Sequence, residues 1–196
     1  MICHSQGGML GRAYIEKFNN PPVHNFITWS SPHAGVYGVP DFNAICPDKD
    51  CPWLNSLFSE LMEGGGAILQ DHIAFAAYWR DPVNHTAWLK YNKFLADINN
   101  LRLIKNSTYK TNMASLNAFL MMYTTKDGIV VPKDSPWFDF FADGSDKIVV
   151  PIRETEGYLG DWIGLKTLDE SGRLIMNKCN CTHQDYPRAD FCVHSK

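Results

Sequence analysis

The apolar and polar positions of the chain switch between helix-like and strand-like spacing, which predicts an α/β fold. Small and apolar residues recur at helical spacing over residues 7–18, and the Asn and Pro residues at 19–22 end that pattern. Residues 25–31 form a strand-like run that Pro32 stops. A helix followed by a strand is the order expected of a parallel sheet, so we predict a mostly parallel sheet.

Two later apolar runs extend this sheet. Residues 118–124 are almost continuously apolar between polar neighbours, as in a strand that is buried on both faces. Residues 173–177 predict another short strand, and residues 179–183 predict the loop after it. The polar segment 184–196 favours no element.

The pattern between residues 53 and 112 is helical. Leu, Ala, Trp and Tyr are frequent there, and the helix-like segments break at the three glycines 64–66 and at Asp81-Pro82. We therefore predict one domain over residues 1–196, with a helical insertion at about 53–112. No repeat, low-complexity tract or interdomain linker interrupts it.

Composition narrows the classes of function. The 196 residues are 45% hydrophobic and 20% charged, which is typical of one folded domain. The formal net charge is −3 and the basic residues are scattered, which argues against nucleic acid as a partner. No run approaches the roughly 18 consecutive apolar residues of a membrane-spanning helix.

The start of the chain has the pattern of a nucleophile elbow. Ser5 lies between a short apolar segment and the helix predicted at 7–18, with the small residues Cys3 and Gly7 two positions before and after it. In the G-x-S-x-G motif such small residues let the backbone pack closely around a strained turn, and the Gln6 amide can then donate to an oxyanion. An ordinary helix cap is the alternative for this segment taken alone.

Two further residues fit a serine triad by order and position. A serine hydroxyl needs a base, and the base needs an acid; in α/β-hydrolases they follow in the order Ser, Asp or Glu, His, in loops after strands. Asp127 follows the run 118–124, and His183 follows the run 173–177. We therefore predict an α/β-hydrolase-type fold with Ser5, Asp127 and His183 as its triad. A plain turn at Asp127 and a loop histidine or metal ligand at His183 stay open as alternatives.

Other acids and histidines are weaker candidates. Asp134 and Asp139 are rivals for the acid, at positions more typical of a helix start or a helix face. His4 is expected to point away from the site on the opposite face of its strand, and His33 to line the rim of the cleft. The sequence predicts surface or core positions for the remaining histidines: His24, His72 and His85.

The cysteines allow a metal site or disulfides. Cys179, Cys181 and His183, with Cys192 and His194, supply five possible ligands, but one-residue gaps are tight for structural zinc. Disulfides or free thiols therefore remain the favoured interpretation. The close pair Cys46 and Cys51, in a Pro-rich loop, favours the secretory route, where disulfides persist. Three Asn-x-Ser/Thr sequons point the same way: Asn84, Asn106 and Asn180.

Several segments together resemble the palmitoyl-protein thioesterase family, lysosomal enzymes that remove fatty acyl groups from protein cysteines. They run in family order over about nine tenths of the chain. The matching segments are His4-Ser5-Gln6-Gly7-Gly8 with Arg12-Ala13, residues 33–38, Tyr78-Trp79-Arg80-Asp81-Pro82, residues 94–99, residues 127–132 with 135–138, and residues 164–168.

The resemblance implies a serine thioesterase that acts on S-acylated proteins. It implies that Ser5 is the nucleophile, Asp127 the acid and His183 the base, that the Gln6 amide is one oxyanion donor, and that neither metal nor organic cofactor takes part. It also implies a Cys46–Cys51 disulfide and a lysosomal or secreted protein. Apolar residues of the insertion are expected to line an acyl groove or to be core: Trp53, Leu54, Leu57, Phe58, Leu61, Phe75, Tyr78, Trp79 and Trp88.

Departures from the family leave alternatives. Cys3 stands where the family often has Gly, and the residues around His183 depart from the family apart from the histidine. Because the chain starts at the elbow, we expect preceding strands, the second oxyanion loop and a signal peptide to lie upstream, and these 196 residues alone to fold poorly and hydrolyse little. A lipase or carboxylesterase on the same fold, or a catalytically incomplete remnant, are the competing hypotheses.

Overall fold

A four-stranded parallel sheet forms the centre of the molecule. The structure is a computed structural model that describes residues 1–41 and 52–185. The strands lie in the order β1 (Ile2–His4), β2 (Asn25–Trp29), β3 (Ala118–Thr124) and β6 (Leu174–Cys179), and every neighbouring pair is parallel. A separate antiparallel pair, β4 (Phe140–Phe141) and β5 (Val149–Val150), lies between β3 and β6 along the chain. The predicted α/β architecture is confirmed.

Helices connect the strands. Helix α1 (Gln6–Lys17) joins β1 to β2, and two short helices, α8 (Glu156–Leu159) and α9 (Leu165–Glu170), precede β6. The helices described between β2 and β3 are α2 (Pro52–Glu60), α3 (Gly66–Leu69), α4 (Ala74–Ala77), α5 (His85–Tyr91), α6 (Leu95–Ile98) and α7 (Ser107–Ala114). A π-helical turn covers Leu61–Gly65, and 3₁₀ turns cover Ser135–Trp137 and Ile152–Glu154.

The predicted elements agree closely with these bounds. Helix α1 covers the predicted 7–18 within one residue at each end, and β3 has the predicted limits. Strand β6 runs two residues beyond the predicted 173–177 because Lys178 and Cys179 pair with the end of β3. The predicted break at 64–66 coincides with Gly64, whose φ of 95° lies outside the helical region.

The sheet is buried against helices on the side of α1 and α7. Phe26 of β2 and Phe119 of β3 are fully buried and stack with ring centroids 4.8 Å apart. Ile15 of α1, Met113 of α7 and Leu168 of α9 belong to the same core cluster and are also fully buried. Burial of such side chains contributes about 1.5–3 kcal/mol each, so this core fixes the strands that carry the site.

Helix α1 approaches β2 very closely at Gly8. A Cβ atom at Gly8 would lie 2.0 Å from the Oγ atom and 2.5 Å from the Cβ atom of Ser31, two residues after the end of β2, and 3.1 Å from Cγ2 of Thr28 in β2. Only glycine permits this approach. The close packing that the elbow requires therefore occurs at Gly8, one position after the predicted Gly7, where the nearest atom would be 4.0 Å away.

A buried arginine ties α1 to its surroundings. The Arg12 guanidinium donates to Oε1 of Glu16 at 3.2 Å and to the carbonyl oxygens of Ile98 and His33 at 3.0 Å each. It also donates to Oδ1 of Asn99 at 2.7 Å. Because α1 begins directly after Ser5, these bonds fix the helix behind that serine to the insertion and to the loop after β2.

The described helices are too short or too polar to cross a membrane. The disulfide and metal-site hypotheses involve four residues that lie outside the described part of the chain: Cys46, Cys51, Cys192 and His194. For these residues the hypotheses therefore remain predictions.

Candidate active site

Ser5 occupies a strained turn between β1 and α1. Its φ and ψ angles are 51° and −129°, a conformation that non-glycine residues rarely adopt. Its N–H donates to the carbonyl oxygen of Trp29 in β2 at 2.8 Å, which anchors the turn to the sheet. A serine held in this way between a strand and a helix has the geometry of a nucleophile elbow.

The side chains of Ser5, His183 and Asp127 form a hydrogen-bonded relay. The His183 Nε2 atom lies 2.9 Å from Ser5 Oγ, and its Nδ1 atom lies 2.8 Å from Asp127 Oδ2. With the proton on Nδ1, the imidazole donates to the carboxylate and accepts the serine proton. The Asp127 carboxylate is fully buried, and 7% of the His183 side chain is exposed.

The parallel sheet explains why three distant residues meet. Ser5, Asp127 and His183 follow β1, β3 and β6, whose carboxyl ends lie at one edge of the sheet. Side chains in those loops converge there, as ligands and catalytic groups commonly do in open α/β sheets.

Both oxygens of Asp127 are engaged. Oδ1 accepts from the N–H groups of Ile129 and Val130 at 2.9 and 3.0 Å, and Oδ2 also accepts from the Thr124 hydroxyl at 3.0 Å. Burial raises the pKa of Asp127, but the hydrogen bond and charge of His183 together with the two N–H donors hold it below the ordinary value. The carboxylate is therefore ionised and fixed in orientation.

Two supporting hydroxyls were missed by the sequence reasoning. Thr124 and Ser30 are fully buried, and their hydroxyl oxygens lie 2.9 Å apart behind the carboxylate. Thr124 ends β3 three residues before Asp127, and this spacing was the signal in the sequence that could have placed the Thr124 hydroxyl beside the carboxylate. Together they connect the loop after β2 with the loop that carries Asp127.

Gln6 is the first residue of α1 and directly follows Ser5. The N–H groups in the first turn of a helix have no partner within the helix, and they point toward the helix start. The Gln6 amide therefore lies beside Ser5, where a helix N-terminus can stabilise a negatively charged oxygen.

His4 lies against His183, which corrects the expectation that it points away. Its Nε2 atom donates to the His183 carbonyl oxygen at 3.1 Å, and the two ring centroids are 4.9 Å apart. Burial, followed by the charge of His183, lowers the pKa of His4. The strand alternation fails here because His4 is the last residue of β1, next to the left-handed turn at Ser5.

His33 is buried, which corrects its predicted place on the cleft rim. It is fully buried, its Nε2 atom lies 3.1 Å from Thr28 Oγ1, and its ring stacks on Phe138 at 4.9 Å. Burial and then the charge of Arg12 hold its pKa well below the ordinary value, so His33 is a neutral core residue.

The rival acids have other contacts. Asp139 accepts from the N–H of Ile152 at 2.7 Å, and Asp134 precedes the 3₁₀ turn at Ser135. Neither is within the relay around His183.

The described cysteines near His183 are buried. Cys179 and Cys181 are 5% and 2% exposed, and they pack with Met122. Within residues 1–41 and 52–185, no three His, Cys, Asp or Glu side chains are grouped so that they would hold a metal ion.

An apolar cavity of about 450 Å³ opens beside Ser5 and His183. Its volume lies within the roughly 300–1,000 Å³ of usual ligand pockets. Its other lining residues are almost all apolar: Pro32, Val36, Pro40, Trp53, Leu54, Leu57, Phe58, Ile73, Ala74, Phe75, Tyr78, Ile129, Val130 and Gln184. The cavity can therefore hold a long aliphatic group next to the serine hydroxyl.

The insertion divides into a lining part and a core part. Six of the nine residues proposed for an acyl groove line the cavity: Trp53, Leu54, Leu57, Phe58, Phe75 and Tyr78. Leu61, Trp79 and Trp88 are instead buried core residues, each at most 1% exposed. Leu54, Leu57 and Phe58 share one face of α2 because three and four residues make one helical turn.

A smaller cavity of about 170 Å³ also reaches His183. It shares Ile129 and Gln184 with the apolar cavity, and the rest of its lining is Asp41, Lys126, Gly128 and Thr182. The relay is therefore bordered both by the apolar cavity and by this polar one.

Comparisons with known proteins point to one family. The family model for palmitoyl protein thioesterase matches residues 1–183. The chain is 41% identical to palmitoyl-protein thioesterase 3 of Dictyostelium discoideum over 98% of its length, which is 63% of that relative. It is 37% identical to palmitoyl-protein thioesterase 1 of Caenorhabditis elegans over 96% of its length, 61% of that relative.

A human relative is more distant. The lysosomal thioesterase PPT2 of Homo sapiens is 30% identical over 89% of this chain, and the match spans 56% of that protein. The chain thus spans about 60% of the length of the curated relatives it matches. On the match over residues 1–183, together with the elbow and the relay, the chain belongs to the palmitoyl protein thioesterase family.

Proposed function

We propose that the chain carries the triad of a serine thioesterase that hydrolyses long-chain fatty acyl thioesters on protein cysteines. The main support for this proposal is the relay through His183, at 2.9 Å to Ser5 and 2.8 Å to Asp127, together with its position beside an apolar cavity of about 450 Å³. The relay supplies an activated nucleophile, and the cavity supplies a place for the acyl chain.

In the first half of the reaction, Ser5 Oγ attacks the thioester carbonyl and gives its proton to His183 Nε2. The oxygen of the tetrahedral intermediate gains the negative charge, and the Gln6 N–H stabilises it. The C–S bond then breaks, the cysteine sulfur takes the proton from His183, and an acyl-Ser5 ester remains.

In the second half, His183 takes a proton from a water molecule that attacks the ester. The same N–H donor stabilises the second oxyanion, and Ser5 recovers its proton from His183 as the fatty acid forms. Asp127 stays ionised throughout and stabilises the imidazolium, since its pKa is held low.

The two cavities suit the two parts of the substrate. Burial of a methylene group contributes about 0.8 kcal/mol, so the apolar cavity beside Ser5 favours long acyl chains. The polar cavity with Asp41, Lys126 and Thr182 suits the peptide that carries the cysteine.

Ser5→Ala in the full chain tests the proposal. We expect the wild-type chain to hydrolyse S-palmitoyl peptide slowly, though measurably, and to react with a fluorophosphonate probe, and the variant to do neither. Ser59→Ala, at an exposed position of α2, is the matched control and is expected to keep both activities.

Two outcomes would contradict the proposal, one from the comparison of substrates and one from the probe. Faster hydrolysis of an O-palmitoyl ester than of the matched thioester would instead identify a lipase or carboxylesterase on this fold. A wild-type chain without probe labelling would indicate a catalytically incomplete remnant.

We also propose that the protein is a glycoprotein of the lysosome or the secretory route. Relatives in Drosophila melanogaster and Homo sapiens are named lysosomal thioesterases, and the three sequon asparagines are exposed: Asn84, Asn106 and Asn180. Treatment of the expressed protein with a peptide N-glycosidase should lower its apparent mass. An unchanged mass would contradict this proposal.

A further inference from the structure

His4 contacts His183, the proposed base, through both its ring and its Nε2–H. Its Nε2–H donates to the backbone carbonyl of His183 at 3.1 Å, and its ring lies 4.9 Å from the His183 ring at an interplanar angle of 50°. A carbonyl oxygen only accepts, so this bond requires the His4 proton on Nε2. His4 directly precedes Ser5, so one dipeptide contacts both the backbone and the side chain of the base.

The loop that carries His183 is held on two sides. Two residues earlier, the Cys181 carbonyl accepts from the N–H of Lys126 at 3.1 Å, which ties the loop to the end of β3. At His183 itself, the bond from His4 ties the loop to β1. In the sheet formed by the described residues, β1 and β6 are the outer strands, so His4 connects two loops that none of the described strand pairings joins directly.

We propose that His4 is a positioning residue, whose Nε2–H fixes the His183 backbone so that the imidazole stays aligned between Ser5 and Asp127. This inference rests on the proposed thioesterase function. Alignment matters because a small displacement of the base from the serine proton lowers the rate of proton transfer.

The surroundings of His4 favour its neutral form. Among the described residues, His183 and Asp127 are charged groups that act on it. Burial and then the charge of His183 lower its pKa, while the bond to the carbonyl and the charge of Asp127 act in the opposite direction. A neutral His4 donates its hydrogen bond without placing a second positive charge beside the imidazolium that forms during catalysis.

Two substitutions separate the hydrogen bond from the packing of the ring. His4→Phe keeps an aromatic ring against His183 but has no N–H, whereas His4→Gln keeps a side-chain N–H donor without the ring. We expect His4→Phe to lower kcat for S-palmitoyl peptide and the rate of fluorophosphonate labelling by about tenfold, with KM unchanged. We expect His4→Gln to stay within about threefold of wild type.

A second measurement does not depend on turnover. The proton shared by His183 Nδ1 and Asp127 should give a strongly downfield signal in the proton NMR spectrum of the full chain, assigned by its loss in Asp127→Asn. This signal should persist in His4→Gln and broaden or disappear in His4→Phe, while the melting temperature of both variants stays close to that of wild type.

The outcomes distinguish the two proposals. The positioning role is overturned if His4→Phe keeps the wild-type kcat and the downfield signal, or if His4→Gln loses them to the same extent. If the signal follows the expected pattern but the wild-type chain does not hydrolyse thioesters, the positioning role stands and the proposed substrate is wrong.

Discussion

At the scale of single residues, the orientation of one carboxylate decides whether His183 can act as a base. Oδ1 of Asp127 is held by two backbone N–H groups, so Oδ2 is left to face His183 and Thr124. An amide at this position would present an N–H where the imidazole Nδ1–H now points. The imidazole would then favour the tautomer with its proton toward Ser5, which cannot accept the serine proton.

We therefore expect Asp127→Asn to lower kcat by roughly 10⁴-fold while the fold is kept. Steady-state turnover of S-palmitoyl peptide measures the effect, and circular dichroism checks the fold. Asp134→Asn changes the rival acid outside the relay and is expected to leave kcat unchanged. A larger loss in Asp134→Asn than in Asp127→Asn would contradict the role given to Asp127.

The sequence located the three relay residues but not their supporting contacts. Ser5, Asp127 and His183 were predictable because each follows an apolar run, and loops after parallel strands share one edge of a sheet. His4 and His33 were misplaced because strand alternation does not hold next to a left-handed turn, and because a loop histidine after Pro32 carries no pattern that predicts burial.

At the scale of elements, helix α2 lines the apolar cavity that we propose holds the acyl chain. Leu54, Leu57 and Phe58 line it, whereas Ser56 is exposed. We expect Leu57→Trp to fill part of the cavity and to lower kcat/KM for palmitoyl thioester by about fourfold for each methylene that it excludes. A butyryl thioester should be hydrolysed at the wild-type rate.

Ser56→Trp adds the same side chain outside the cavity and should leave both rates unchanged. An equal loss with palmitoyl and butyryl thioesters in Leu57→Trp would show that the substitution disturbs the relay and not the acyl site.

The long elements were predictable, and the short ones were not. Helix α1 and strands β2, β3 and β6 combine a clear apolar pattern with Pro, Asn or polar residues at their ends. Residues 133–172 instead fold into two-residue strands, 3₁₀ turns and helices of four and six residues, which are too short to show a period. These short elements depend on individual side-chain contacts: the Asp161 carboxylate, for example, accepts from the N–H groups of Lys166 and Thr167 and from the Thr167 hydroxyl.

At the scale of the whole molecule, one buried acid makes the stability of the fold depend on pH. The Glu16 side chain is fully buried, and burial raises its pKa from 4.5 to about 8, against the opposing charge and hydrogen bond of Arg12. An acid with a raised pKa binds its proton more tightly in the folded chain. The free energy of unfolding therefore falls as the pH rises from about 4.5 to about 8.

We expect the melting temperature at pH 8 to lie below that at pH 5 by at least roughly 2–4 °C, the shift that 1 kcal/mol produces in a chain of this size. Glu16→Gln is neutral at both pH values and should remove most of this difference. Glu170→Gln, with a side chain that is 66% exposed, is the matched control and should keep it. A full wild-type difference in Glu16→Gln would contradict this explanation.

The hydrogen bond from Ser5 to His183 joins residues 178 positions apart. During synthesis the serine therefore leaves the ribosome long before its base, and a serine hydroxyl without a base is a poor nucleophile. The nascent chain can begin to fold while its serine is still inert toward acyl groups. If the proposed triad is correct, reactivity is expected only when β6, the last strand among the described residues, and the His183 loop after it have been made and have docked.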